Sequence, residues 1–395
     1  MKMLFVRFAF RNIFRQKRRS ILTGLTIAVG FFLLSLSIGV SEGSYSEVID
    51  IFTKSHTGHI QIHHSDYLDK PNLYKTIDEV DIPELSFMTS WTPRVYSSAL
   101  AFGNNKTLGT QVLGIDLDRE FKTTTLAAKL SEGTFSEEGA VITASLARTM
   151  KVAVGDDIVL ISQGADGSIA NDIFPISGIV KDEEGMMLCY LSIATAQEFL
   201  SLGSRVHEIA IMTDSYHHAE EYATAIRESI GDATLDIQPW QVVEKSFYDA
   251  MLMDIKGMWV SLSIIMLIVA LGILNSVLMD ILERTREYGV LKALGTSPAF
   301  IFKLIITEMF LLTTISVIIG AIPAFIANWF LAEYGIALSE PIEFGGVMFS
   351  TYRSAVSFTV FAVPAALTMA TSLIVSIFPA IGILRKPAVE AMRHV

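Results

Sequence analysis

Four histidines fall within nine positions, His56, His59, His63 and His64, and imidazole is the side chain most often recruited to hold a transition metal. In an extended strand alternate side chains share a face, so His59 and His63 project together and His64 to the other side. A three-ligand cluster would need the loop carrying His56 to fold back, and only Asp66 or Asp69 stands near enough in sequence to complete it. The spacing reads as strand or surface histidines, with no metal expected. A second constellation is ionic. Glu283, Arg284, Arg286 and Glu287 open a short helix in which Tyr288, Leu291 and Leu294 share a face. Gly295 sits where a helix takes a left-handed stop, and Ser297-Pro298 is a cap and first-turn pair for the next helix. Such a helix is either a docking surface or a solvated connector, the latter held by pairs such as Glu283 with Arg286 contributing about 0.2 to 0.5 kcal/mol each. Nothing resembles a Ser/His/Asp set or paired catalytic carboxylates, so no enzyme chemistry is expected of this chain.

The charged helix follows directly on an apolar element. Gly257 to Met279 is a run of 23 residues without a charge. Ile21 to Val40, Met309 to Ala332 and Ser354 to Leu384 are likewise uncharged, and each run reaches the roughly 20 residues that cross a bilayer. Unpaired backbone groups are not tolerated in lipid, so each run is expected to be a helix. Glu308 lies near one end of the third run, where an ionisable group is a functional candidate by default. Within a turn or two of the interface it can snorkel, and its expected role is as partner for Lys303 or for the charged helix. Asn275 and Asn328 are expected to hydrogen-bond across helices, and Pro323, Pro364 and Pro379 to kink theirs.

Charge orients these spans. The net charge of −11 is unevenly placed: residues 1 to 41 hold seven basic side chains and no acid, whereas Ser41 to Ile255 holds 14 basic against 33 acidic. Lys and Arg near span ends favour the cytoplasm, so both termini are expected inside and Ser41 to Ile255 outside. The first run is longer than a typical signal core and lacks a good cleavage site, which reads as a retained anchor. Before it, Arg7, Arg11, Arg15 and Arg18 form a helical stripe with Phe5, Phe8, Ala9 and Ile13 displaced from it. That is either an interfacial helix or a positive-inside flank. The acidic balance excludes a nucleic-acid face, and the single cysteine, Cys189, excludes an internal disulfide.

Between the first two spans the period changes. GHIQIHH, TLGTQVLGI, GAVITASLA, DDIVLIS, FPISGIV and HEIAIMT read as strands, with helices at Ala194 to Leu202 and His218 to Ile230. The length, about 215 residues, fits an α+β domain, expected in two lobes. Val242, Val243, Phe247, Met251 and Ile255 continue without a break into the second span, which predicts one rod starting at Gln241. Ser44 to Phe52 is expected to extend the first span in the same way.

At the ionic helix the residues resemble a family. Asn275, Glu283, Arg284, Arg286, Glu287, Gly289, Leu291, Lys292, Ala293, Leu294 and Gly295 look like the signature of FtsX-like permeases, the membrane subunits of MacB- and LolC/LolE-type ABC transporters. FAFRNIFRQKRRSILT before the first span and FPAIGILRKPAVEAMR at the C-terminal end are similar to that family's flanking segments. GHIQIHHSDYLD looks like the start of the LolE-like outer domain. The resemblance implies a membrane bundle of four transmembrane helices with a large α+β extracytoplasmic domain of the MacB periplasmic type inserted between helices 1 and 2. Together with the charge-free runs and the basic stripe, the expected boundaries are residues 1–20 for a cytoplasmic amphipathic helix and 21–40, 256–282, 298–332 and 354–384 for the spans. The periplasmic domain is 41–255, the coupling helix 283–297, a periplasmic loop 333–353 and the cytoplasmic tail 385–395.

The same resemblance implies partners. A separate cytoplasmic ABC ATPase would bind ATP and Mg, since this chain has no G-x-x-x-x-G-K phosphate loop. It would seat on Glu283, Arg284, Arg286, Glu287, Tyr288, Gly289, Leu291, Lys292 and Gly295. A second permease subunit, identical or not, the bilayer of the bacterial inner membrane and a periplasmic carrier or adaptor complete the set. No cofactor is expected in this chain. The chain departs from MacB, whose ATPase is fused, and from FtsX, whose outer domain is smaller. The expected function is release of lipoproteins or similar amphiphiles. The alternatives are export of a peptide, toxin or drug-like amphiphile through an adaptor and outer-membrane channel, or regulation of a cell-wall hydrolase.

Overall fold

A segment with an apolar surface all round satisfies its backbone internally, and the four uncharged runs do so as long helices in the computed structural model, which describes residues 10–12, 15, 17–78, 82–181, 185–344 and 347–385. Much of the expected N-terminal stripe (Phe5, Arg7, Phe8, Ala9 and Ile13) and the closing segment from Lys386 lie outside the described residues. The first helix, α1, is Lys17–Phe52 and ends in a π turn at Thr53–Thr57. The inserted domain follows with β1 Ile60–His64, β2 Met88–Gly103, β3 Lys106–Ile115, α2 Leu117–Thr123, β4 Leu130–Gly133, β5 Ala140–Thr143 and α3 Ala144–Met150. It continues through β6 Asp157–Gln163, β7 Ile169–Val180, β8 Leu188–Ser192, α4 Ile193–Phe199, β9 Glu208–Thr213, α5 Ala219–Ile230 and β10 Leu235–Pro239. After a short α6, Trp240–Val243, come α7 Lys245–Glu283, α8 Thr285–Ala293, α9 Pro298–Tyr334, β11 Ile336–Phe344, β12 Val347–Tyr352 and α10 Phe358–Arg385.

The chain divides into two units. One is Met1–Ser46 with Leu252–Glu340 and Ser350–Val395, the helical bundle; the other is Glu47–Met251 with Pro341–Phe349. In the bundle, helices meet where side chains are smallest, as expected when lipid offers no hydrophobic drive between them. A Cβ at Gly320 of α9 would lie 2.8 Å from the Ala28 carbonyl of α1, and one at Gly43 would lie 2.4 Å from the Ser354 backbone. Asn328 is fully buried and bridges as expected: its amide donates to Ser35 Oγ at 3.3 Å, and Ser354 Oγ donates to its carbonyl at 2.6 Å. Asn275 does not. It lies on the outward face of α7, whose buried stripe is Val269, Ile273 and Val277.

In the inserted domain β1 explains its histidines. Ile60 and Ile62 are fully buried on one face, while His59, Gln61 and His63 are buried on the other. The strands hydrogen-bond in the order β10-β1-β9-β2-β3-β8-β5-β7-β4, with β6 joining β2 to β7. All these strands belong to one continuous set of pairings, in which the 16-residue β2 pairs with β3, β6 and β9. A buried ionic network ties the sheet to α2. The Arg94 guanidinium donates to Glu120 at 2.8 and 3.1 Å and to Glu208 at 3.0 Å, and Thr92 and Thr124 complete the Glu120 shell at 2.9 and 3.1 Å. The far ends of α1 and α7 belong to this same unit, where Phe52 and Phe247 stack at 4.3 Å and both are buried.

Two further expectations are corrected, and the loop between the last two spans gains detail. The rod does not start at Gln241: Glu244 leaves helical geometry (φ −107°, ψ 54°), and the unbroken helix starts at Lys245. The strand expected through Ala147 stops at Thr143, and Ala144, Ser145, Leu146 and Ala147 open α3, because Leu146 and Met150 bury one helical face. The loop at 333–353 contains the β11-β12 hairpin.

Candidate functional site

The polypeptide between α7 and α9 bends without fraying. Arg284 takes a bridge-region conformation, yet its N–H still donates to the Asp280 carbonyl at 3.1 Å and the Tyr288 N–H to the Arg284 carbonyl at 3.0 Å. Thr285, buried at the bend, returns its hydroxyl to the Ile281 carbonyl at 2.8 Å. At the other end Gly295 is left-handed (φ +87°). The Thr296 N–H donates to the Leu291 carbonyl at 3.0 Å, closing the helix as the glycine predicts. Ser297 Oγ then accepts from the Phe300 N–H at 3.3 Å and Pro298 fills the first turn of α9.

Helical geometry sorts α8 into two faces. Tyr288 is 1% exposed and sits in the bundle core among Ile281, Ile301, Ile305, Ala380 and Ile383, with Gly289 buried beside it and Leu291 packed against the same cluster. Arg284 lies over the Tyr288 ring at 5.3 Å and donates to Glu308 at 2.8 Å, with Asp280 at 3.6 Å and Glu287 at 3.5 Å. The second Glu308 oxygen accepts from the Asn12 amide at 2.6 Å. Lys292 crosses to α10 and donates to the carbonyls of Ile383 and Leu384 at 2.9 and 3.0 Å. Arg15 pairs with Glu287 at 3.1 Å, and Arg19 pairs with Glu283 at 3.0 Å and donates to the Ser276 carbonyl. These groups enclose a cavity of about 110 Å³ lined by Asn12, Arg19, Thr23, Asp280, Arg284 and Glu308.

The opposite face is open. Arg286, Val290 and Leu294 stand four residues apart and so share one side of the helix; Val290 is 44% and Leu294 77% exposed. Arg286 pairs with no carboxylate among the described residues, so the expected Glu283–Arg286 pair is replaced by Arg19–Glu283. Leu294 does not join Tyr288 and Leu291, since six residues at about 100° each place it about 120° away from Tyr288. Glu308 pairs with Arg284 rather than Lys303, which is exposed: five residues along a helix point the two apart.

The sequence-derived set is thus divided. Arg284, Tyr288, Gly289, Leu291 and Lys292 hold the helix to the bundle, while Glu283, Arg286, Glu287 and Gly295 are exposed. Asn12, Asp280 and Thr285 were missed, although Asp280, Arg284 and Glu287 carry helical ion-pair spacing. His63 and Glu208 approach to 3.6 Å in the inserted domain, and among the described residues no three metal-ligating side chains gather. His59 is held neutral: burial lowers its pKa to about 4.

Residues 20–229 match the family model of the MacB-like periplasmic core domain, and residues 259–388 that of the FtsX-like permease C-terminal region. The lipoprotein-releasing system transmembrane protein LolC of Neisseria meningitidis serogroup B is 24% identical over 230 residues, 55% of either chain. The uncharacterized ABC transporter permease YvrN of Bacillus subtilis is 26% identical over 47% of this chain and 44% of its own. The chain spans about half the length of the curated relatives it matches. Among solved structures, the periplasmic region of MacB from Actinobacillus actinomycetemcomitans aligns with 50% of this chain and 95% of its own, at 16% identity and a TM-score of 0.36. With an inserted domain between the first and second of four membrane-crossing helices and a charged helix after the second, and with residues 20–229 and 259–388 matched by these two models, the chain belongs to the FtsX-like permeases that carry a MacB-like periplasmic core domain.

Proposed function

We propose that this permease transmits ATP-driven motion from a separate cytoplasmic ATPase to its inserted domain, releasing lipoproteins or similar amphiphilic cargo from the membrane. The observation that carries this reading is the two-sidedness of α8. Arg284, Tyr288 and Lys292 fix it to α7, α9 and α10, while Arg286, Val290 and Leu294 face away from the bundle. A solvated connector has no need of buried anchors on three helices. An exposed apolar pair beside an arginine that pairs with no carboxylate among the described residues has the chemistry of a protein-docking surface: exposed apolar groups clustered together mark interaction sites, and arginine is enriched among the residues that carry binding energy.

The reading places the α8 end of the bundle and both termini in the cytoplasm and the inserted domain in the periplasm, supported by the basic N-terminal segment and the acidic 41–255 region. Lipoprotein release is favoured as cargo by the likeness to LolC, whose name states that role for LolC itself. A second permease subunit would complete the transporter.

The test replaces Val290 and Leu294 together by Asp. The tagged wild-type chain should retain Mg-dependent ATP hydrolysis through purification from native membrane, and the double variant should lose at least tenfold of it. That factor corresponds to about 1.4 kcal/mol of docking energy. Equal retained hydrolysis in the two would reject α8 as the docking element.

A further inference from the structure

We propose that the groove between α1 and α9 binds one anionic phospholipid, with its phosphate at Lys17 and an acyl chain along the groove floor. The groove has a volume of about 500 Å³ and is walled by Ile21, Leu25 and Ala28 of α1 and Leu312, Ile315 and Ile319 of α9. Its floor is low because Gly24 has no side chain: a Cβ there would come within 3.0 Å of Ser316 Oγ.

Two independent features identify the occupant. The first is length. From Lys17 to Ala28 α1 rises about 16 Å, half of the roughly 30 Å hydrocarbon thickness of a bilayer. The groove is therefore as deep as one leaflet, apolar along its length and cationic at its end. The second is charge. Arg15 and Arg19 are taken by Glu287 and Glu283, but Lys17, which lines the groove, and its exposed sequence neighbour Arg18 pair with no carboxylate among the described residues. An ammonium and a guanidinium at headgroup level attract a phosphate of net negative charge. A second copy of the chain would have to bring a carboxylate to the same place.

The full chain, purified in mild detergent, is offered phosphatidylglycerol and phosphatidylcholine of identical acyl chains in equal amounts, and retained lipid is read by native mass spectrometry. The wild type should prefer phosphatidylglycerol by at least fivefold, a factor of the size expected from one basic residue near an anionic headgroup. Lys17→Glu with Arg18→Glu should abolish the preference. Leu25→Trp, which fills the groove and leaves both cations in place, should lower retention of both lipids. Equal retention of the two lipids by the wild type, or an unchanged preference in Lys17→Glu/Arg18→Glu, would overturn the proposal. So would ready disulfide formation between copies carrying Leu25→Cys, since Cys189 is buried and such a product would mean that a second chain covers the groove.

Discussion

Arg94 and His59 show how the inserted domain uses buried polar groups as framework. Arg94 is 2% exposed and its charge is shared between Glu120 and Glu208. Burial works against its charged form, but Glu120 and Glu208 outweigh that and hold its pKa well above the usual arginine value. Burial likewise tends to raise the Glu208 carboxyl, and the His63 hydrogen bond and Arg94 more than reverse it, leaving it below the ordinary range. Replacing Arg94 by Met strands two buried carboxylates, and should lower unfolding stability by about 3 to 5 kcal/mol, measured from urea midpoints of the full chain. Arg94→Met with Glu120→Gln and Glu208→Gln should recover part of that loss; an Arg94→Met midpoint equal to wild type would contradict the network's role. At His59 the Nδ1 atom lies 3.2 Å from the Thr213 N–H and 2.9 Å from Thr213 Oγ1, and burial disfavours the doubly protonated ring. The folded pKa of about 4 lies below the unfolded value of about 6.5. The unfolded chain therefore binds the extra proton first. Stability held above pH 6.5 should fall as pH drops towards 4, by about 3 kcal/mol from this site. His59→Gln, whose amide oxygen can accept the Thr213 N–H, should flatten stability against pH across that window. An unchanged slope would mean that His59 takes up its proton alike in the folded and unfolded chain, and that burial does not hold it neutral.

At the scale of elements, α7, like α1, has residues in both units. Its 39 residues run unbroken from Lys245 to Glu283, a length of about 58 Å at 1.5 Å per residue. Phe247 and Met251 are buried at one end and Ile281 at the other. A flexible Gly-Ser segment placed after Lys256 should leave ATP hydrolysis by the assembled transporter intact and abolish cargo release. Release that survives at normal protein level would remove α7 as the transmission element. The spans, the Gly295 stop and the Ser297 cap are legible in the sequence because each rests on local chemistry: a charge-free run, a left-handed glycine, a hydroxyl before proline. The β11-β12 hairpin was hidden between charge-counted span ends, and the break at Glu244 carries no Gly or Pro signal. Glu308 could be flagged from its position in a span, but its partner Arg284 is 24 residues away in sequence and Asn12 is 296 away. Only the bundle brings them together. For the same reason, the spacing of α8 could supply a charged helix but not which of its residues face inward.

For the whole molecule, the proposed function requires that a separate ATPase take hold at α8. In unit one, α8 is joined through Tyr288 to the bundle core and through Arg284 to α9, so a partner seated on its outer face would act on several helices at once. α1 and α7 run on from the bundle into the inserted domain's own core. Ala293→Cys, on an exposed position of α8, can be loaded with a photoactivatable cross-linker in native membranes, where buried Cys189 stays unlabelled: burial raises its thiol pKa to about 12. The cross-linked product should contain, by mass spectrometry, a polypeptide bearing a G-x-x-x-x-G-K phosphate loop, and the same reagent on Ile169→Cys in the inserted domain should not yield it. A product without such a polypeptide from Ala293→Cys, or the same ATPase captured from Ile169→Cys, would contradict docking of the ATPase on α8.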